Sequence, residues 1–262
     1  MAWILTDECD SLLFSCLDAV GRNRPFDICQ ARVGKGLWLR RPACCGECSS
    51  TTSRDMQMGL LVYFLHFKRA DLLAELAHRC MHSWGKMGTE TKRVPIKVGP
   101  FSFTLPETRV WYTPGLFVLL LACWAYVAGK PRLAKLLSFF PQAYSTAPGY
   151  VSHLTLLHLY LNRRIRGHLT KRELAICDSI ATHMASSPLV AALQGKGDRA
   201  LKLMEARWPG GLPAPKTAWS EPWVLQRSDN DEGLQPDPTA NPLEYHGDGD
   251  MLFARHCISL FC

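Results

Sequence analysis

Residues Thr52 to Phe67 read TSRDMQMGLLVYFLHF. Thr52 and Ser53 are helix-capping types, Arg54 and Asp55 put a charged pair in the first turn, and from Met56 the run is apolar on nearly every side. A helix without a polar face is buried all round. The stretch therefore predicts a core helix whose charged start reaches a surface or a cleft.

Outward from this helix the pattern stays helical. On the C-terminal side, 71–82 is amphipathic, with Leu72, Leu73, Leu76 and Cys80 on one face and Glu75, His78, Arg79 and His82 on the other. An inner and an outer helix joined by Lys68 and Arg69 make a hairpin. WYTPG at 111–115 then opens a second apolar helix over 116–128, Gly129 stops it and Pro131 opens a more polar one to about Phe140. The pairs 150–163 and 170–184 repeat the alternation, and 188–194 and 198–207 predict two short helices. On the N-terminal side a helix spans about 7–20, followed by a long loop to Ser53 with a short strand near 37–39. Between the first two hairpins, 94–98 and 101–105 predict a β-hairpin turning at Gly99-Pro100.

From Trp208 the composition changes, since seven of the 17 prolines lie between Pro209 and Pro242. An extended segment anchored by Trp208, Trp219 and Trp223 is expected, then a last helix over about 250–260. The expected fold class is mainly α. It is a single-domain helical-hairpin barrel or partial toroid, with 1–207 as the helical domain and 208–262 as an extended segment and final helix packed on it.

At 262 residues with 47% hydrophobic content, the chain has material for a sizeable core. Its net charge is +7, but the basic residues are scattered except for Arg163, Arg164, Arg166, His168, Lys171 and Arg172. That cluster reads as a solvated helix junction, and nucleic-acid contact is not expected. The start, MAWILTDECD, has no basic segment before an apolar run, so no secretory signal is read there. The longest apolar run, 116–128, is shorter than the roughly 18 residues a membrane span needs. A cytoplasmic protein without membrane contact is the expectation.

Eleven cysteines without a signal are read mostly as small buried hydrophobes, and Cys16, Cys80, Cys123 and Cys177, inside apolar helical patterns, fit that reading. Cys44, Cys45 and Cys48 bring three thiols together, and either a zinc site or an ordinary thiol-rich loop fits them. No second Cys-x-x-Cys supplies a fourth ligand, so neither metal nor cofactor is expected. His78 and His82, four apart, lack the glutamate beside the first His of a metalloprotease helix and read as a solvated face.

The candidate chemistry lies with the charged helix starts. Arg54 and Asp55 either serve as a first-turn pair or grip vicinal hydroxyls or a carboxylate of a ligand. Asp10 precedes the first helix and Asp250 opens the last. Capping explains each singly, but three carboxylates converging on one cleft would suit acid and base work on a glycosidic bond. Asp55, Asp10 and Asp250 are thus the expected catalytic set. Arg40, Arg41, Arg54, Trp38, Trp84 and His246 are the expected substrate-binding set, with the tryptophans stacking on sugar rings.

SRDM at 53–56 after a Trp-Leu-Arg-Arg-Pro loop, with WYTPG before the next buried helix, resembles the α/α toroids of the six-hairpin glycosidases over about residues 1–140. In the glucoamylase- and trehalase-like members an Arg-Asp pair opening an inner helix lies in the sugar subsite. The resemblance implies that Arg54 and Asp55 bind a sugar, in a carbohydrate-active protein. The alternative is a non-enzymatic interaction module in which the same residues are caps and the Trp-rich segment meets a partner.

Overall fold

A computed structural model describes residues 11–39, 52–85, 93–98, 101–106, 112–140, 144–147, 151–207 and 248–262, and gives the backbone alone at 11, 93–98, 101–106, 151, 207 and 248–250. The described residues are mainly helical. In chain order the helices are α1 (Ser11–Gly21), α2 (Arg54–His66), α3 (Ala70–His82), α4 (Pro114–Val127), α5 (Pro131–Ser138), α6 (Val151–Arg166), α7 (Lys171–Ala181), α8 (Pro188–Leu193), α9 (Gly197–Arg207) and α10 (Asp248–Phe261). Two small antiparallel hairpins accompany them. β1 (Arg32–Gly34) pairs with β2 (Leu37–Trp38), and β3 (Arg93–Val98) pairs with β4 (Phe101–Pro106) in the register Val94 to Leu105 and Val98 to Phe101. The extended segment expected at 208–247 and the three clustered cysteines lie outside the described residues.

The all-round apolar helix is the centre of the core. Every residue of α2 from Asp55 to Leu65 is buried. Its neighbours approach closely because Gly59 has no side chain: a Cβ there would lie 3.0 Å from the Leu13 backbone of α1. At its other end His66 Nε2 meets Asn23 Oδ1 at 2.8 Å, and the Tyr63 hydroxyl donates to the Phe26 carbonyl at 3.0 Å. Leu13 thus sits beside the first half of α2 and Asn23 beside its end, so α1 and α2 run the same way.

α3 returns antiparallel to α2, burying Leu72, Leu73, Leu76 and Cys80 as the amphipathic pattern requires. It delivers the chain back to the start of α2, where the Gly85 carbonyl accepts the Tyr112 N–H at 2.7 Å and α4 begins. Thr113 caps α4 through Leu116 N–H at 3.2 Å, with Pro114 at the first helical position. α10 starts at the opposite end of α1, because a Cβ on Gly21 would meet the Phe253 N atom at 2.6 Å.

Cys16, Cys80, Cys123 and Cys177 are buried and unbridged, as expected of small core hydrophobes. Burial pushes the Cys80 thiol up to about 11 and those of Cys16, Cys123 and Cys177 higher, so they pack as neutral groups. No helix among the described residues is long and apolar enough to cross a membrane.

Candidate functional site

The start of α2 holds a run of buried polar side chains, Thr52, Asp55 and Gln57. Such groups need partners. The Ser53 hydroxyl donates to Asp55 Oδ1, and Gln57 Nε2 donates to Thr52 Oγ1 at 2.7 Å. The Tyr112 hydroxyl, on the segment that leads into α4, donates to Gln57 Oε1. Burial pushes that phenol well above its usual range, with Cys80 adding to it, so it stays a hydrogen-bond donor. Gln57 thereby fastens the starts of α2 and α4 to each other. Neither Gln57 nor Tyr112 was among the residues expected from the sequence. The available signal was an amide inside an otherwise apolar helix, which must find a buried partner.

Two side chains flank this cluster from outside. Arg54 is exposed in the first turn of α2. Trp84 precedes Gly85, whose carbonyl holds Tyr112, and it is 88% exposed. Trp84 also has φ +54, in the left-handed region that glycine occupies at the end of a helix. The α3 end closes around it through Gly85 N–H to the Cys80 carbonyl at 2.8 Å.

The other expected residues divide. Asp10, Arg40, Arg41 and His246 lie outside the described residues. Trp38, expected to stack on a sugar, is a correction: it is fully buried, 5.6 Å from the Phe64 ring between centroids, and offers no face to a ligand. Asp250 is a second correction. It belongs to the first turn of α10, beside Gly21 at the end of α1, whereas Asp55 opens α2 beside the start of α1. From Leu13 to Gly21 the axis of α1 advances about 12 Å. The starts of α2 and α10 therefore do not converge, because α10 runs back along α1 and presents its start to the far end.

The basic run 163–172 also differs from a solvated junction. Arg163 donates to the Ala192 and Leu193 carbonyls at 2.6 Å and to the Phe261 carbonyl at 2.7 Å, tying α6 to α8 and α10. Arg166 is buried and paired with Glu173. His78 and His82 are exposed as expected, their rings stacked at 3.9 Å. Among the described residues no group of three or more His, Cys, Asp or Glu gathers as for a metal ion.

A second polar cluster joins α2, α6 and α10. The His66 and His256 rings lie 4.9 Å apart, and the Tyr160 hydroxyl meets His256 Nε2 at 3.2 Å. Burial, then the nearby His66 and Arg164, pushes His256 down to about 4, and burial followed by Arg164 lowers His66. Both rings are therefore neutral near pH 7.

No family model matches the sequence, no curated protein matches it, and no solved structure matches the fold.

Proposed function

We propose that the protein binds a carbohydrate at the shared start of α2 and α4, with Trp84 as the stacking surface, Arg54 gripping hydroxyls or a sugar carboxylate, and the buried Asp55 holding the helix turn that carries Arg54. The observation that carries this reading is the state of Trp84. A non-glycine residue in the left-handed region costs about 1–2 kcal/mol, and at 88% exposure this indole recovers little of that by burial. Asn23 and Lys68 close α1 and α2 in the same region, and what sets Trp84 apart is a large aromatic face left in solvent. An exposed aromatic face and an exposed guanidinium are groups that sugar rings use.

The common start of α2 and α4, with α3 returning between them, supports reading the helical body as a hairpin barrel or partial α/α toroid. Glycoside cleavage is the extended form of the proposal. It requires a second carboxylate about 5–9.5 Å from Asp55. A cytoplasmic location agrees with the thiol-rich composition.

The test is glycan-array binding of the wild type against Trp84→Gly, Arg54→Ala and Asp55→Asn. Trp84→Gly is the sharpest of these, because glycine relieves the left-handed backbone. The expected result is a thermal midpoint equal to or above that of the wild type, together with lost glycan binding. Glycan binding that survives all three substitutions, or a wild type that binds no glycan, overturns the reading.

A further inference from the structure

A small open pocket of about 60 Å³ lies where α5 and α6 end and α7 begins, sharing no residue with the α2–α4 site. Its floor is the ion pair of Arg166 and Glu173, whose side chains are 1% and 6% exposed. Glu173 is fully engaged there. It accepts hydrogen bonds from Arg166, from the Thr170 N–H and hydroxyl at 2.8 and 2.9 Å, from Asn162 at 2.8 Å and from the Tyr144 hydroxyl at 3.1 Å. Arg166 is not. One of its terminal nitrogens meets Glu173 and the other donates to the Ser138 carbonyl at 2.8 Å, but its Nε is buried without a hydrogen-bond partner among the described residues.

The rim is positive in a way that helix stability does not ask for. Thr170 caps α7, and the first turn carries Lys171 and Arg172 before Glu173. Cations at a helix start oppose the helix dipole, while the outward N–H groups there attract anions. Arg172 is exposed and lines the pocket. With the Arg166–Glu173 pair balanced, the pocket carries one excess positive charge. Its wall is apolar: Phe139 and Phe140 are 54% and 45% exposed, and the Arg166 guanidinium lies 4.8 Å from the Phe139 ring centre.

We propose that this pocket binds a small oxyanion carrying a planar apolar group, the chemistry shared by aryl phosphates and aryl sulfates. The oxyanion meets the Arg172 guanidinium and the Lys171 and Arg172 N–H groups, which the capping box of Thr170 and Glu173 does not take, above the buried Arg166. The planar group lies against Phe140. A bare inorganic anion satisfies the charge but leaves the aromatic wall unused, and a neutral aromatic leaves the donors unused, so the pair of features selects the combined ligand.

The experiment is a titration of ¹⁵N-labelled protein with phenyl phosphate, inorganic phosphate and chloride at matched ionic strength, following backbone amide shifts. The expected result is saturable movement of the 170–173 amides with phenyl phosphate, with tighter binding than inorganic phosphate and no saturation with chloride. Arg172→Glu is expected to weaken phenyl phosphate by about tenfold or more, the scale of a lost charged hydrogen bond. Phe140→Ala is expected to bring phenyl phosphate down to the affinity of inorganic phosphate without changing the latter. Both residues are exposed, and unchanged thermal midpoints would show that the fold is kept. Shifts that do not saturate, that chloride reproduces, or that Arg172→Glu leaves untouched overturn the anion site. Equal affinity for phenyl and inorganic phosphate overturns the aromatic part.

Discussion

The start of α2 and the junction of α6 with α7 both bury a carboxylate in an apolar helical body, and they do it by different means. Glu173 is enclosed by an arginine and three further side chains drawn from three stretches of chain. Burial alone would raise its pKa, but the Arg166 hydrogen bond, the Thr170 N–H and the Arg166 charge outweigh it and hold the carboxyl below its usual range. Asp55 lies one residue into its own helix, takes the hydroxyl of Ser53 two residues earlier, and has an exposed arginine before it. The first arrangement locks three elements together. The second organises the start of one helix and leaves charged and aromatic surface beside it.

Replacing each carboxylate tests that division. Glu173→Ala strands the buried Arg166 and is expected to cost about 3–5 kcal/mol of stability in urea denaturation. Replacing both partners with methionine should recover most of the loss. Asp55→Asn keeps a hydrogen-bonding group of the same shape in the first turn and is expected to cost about 1 kcal/mol. Equal losses at the two positions would erase the contrast and make Asp55 as structural as Glu173.

The next effect concerns which end of α1 each acid occupies. A Cβ on Gly21 would meet backbone atoms of Leu252 and Phe253 at 2.6–2.7 Å, which side-chain rearrangement cannot relieve. Gly21→Ala is therefore expected to destabilise by about 1–3 kcal/mol, as overpacking does. A neutral result in thermal denaturation would remove the contact that sets α10 against the end of α1, and with it the separation of Asp250 from Asp55.

What could be read in advance follows the same line between local and distant causes. All ten helices among the described residues were legible, because apolar period, caps and stops such as Thr113, Pro114, Gly129 and Pro131 act within one turn of chain. The hairpin of β3 and β4 was legible from its alternation and from the Gly-Pro pair in the sequence between the two runs. The pairing of β1 with β2 was only half legible, since strands of three and two residues carry no alternation. Trp38 was misjudged because nothing local says that Phe64 covers it. Arg166 turns inward on account of the Ser138 carbonyl, 28 residues earlier, and a glutamate across the α6–α7 turn. The direction of α10 depends on packing against α1, which no pattern in its own residues encodes.

The smallest effect near neutral pH distinguishes the histidines from both carboxylates. His158 and His256 are pushed down to about 4, chiefly by burial, and His66 is lowered by burial and Arg164. Unfolded histidine titrates near 6.5. Between about 6.5 and 4 the unfolded chain therefore binds more protons than the folded one, so stability is full above pH 6.5 and declines as the pH falls through that window. Glu173, whose folded pKa is depressed, loses its contribution only lower down, as the ordinary carboxylate range is crossed. His256→Gln removes one titrating ring while its side-chain amide can still meet the Tyr160 hydroxyl. Urea midpoints measured at intervals from pH 7.5 to 4.5 should fall in the wild type and fall less steeply in this variant. Parallel curves would mean that His256 takes up its proton without disturbing the junction of α2, α6 and α10.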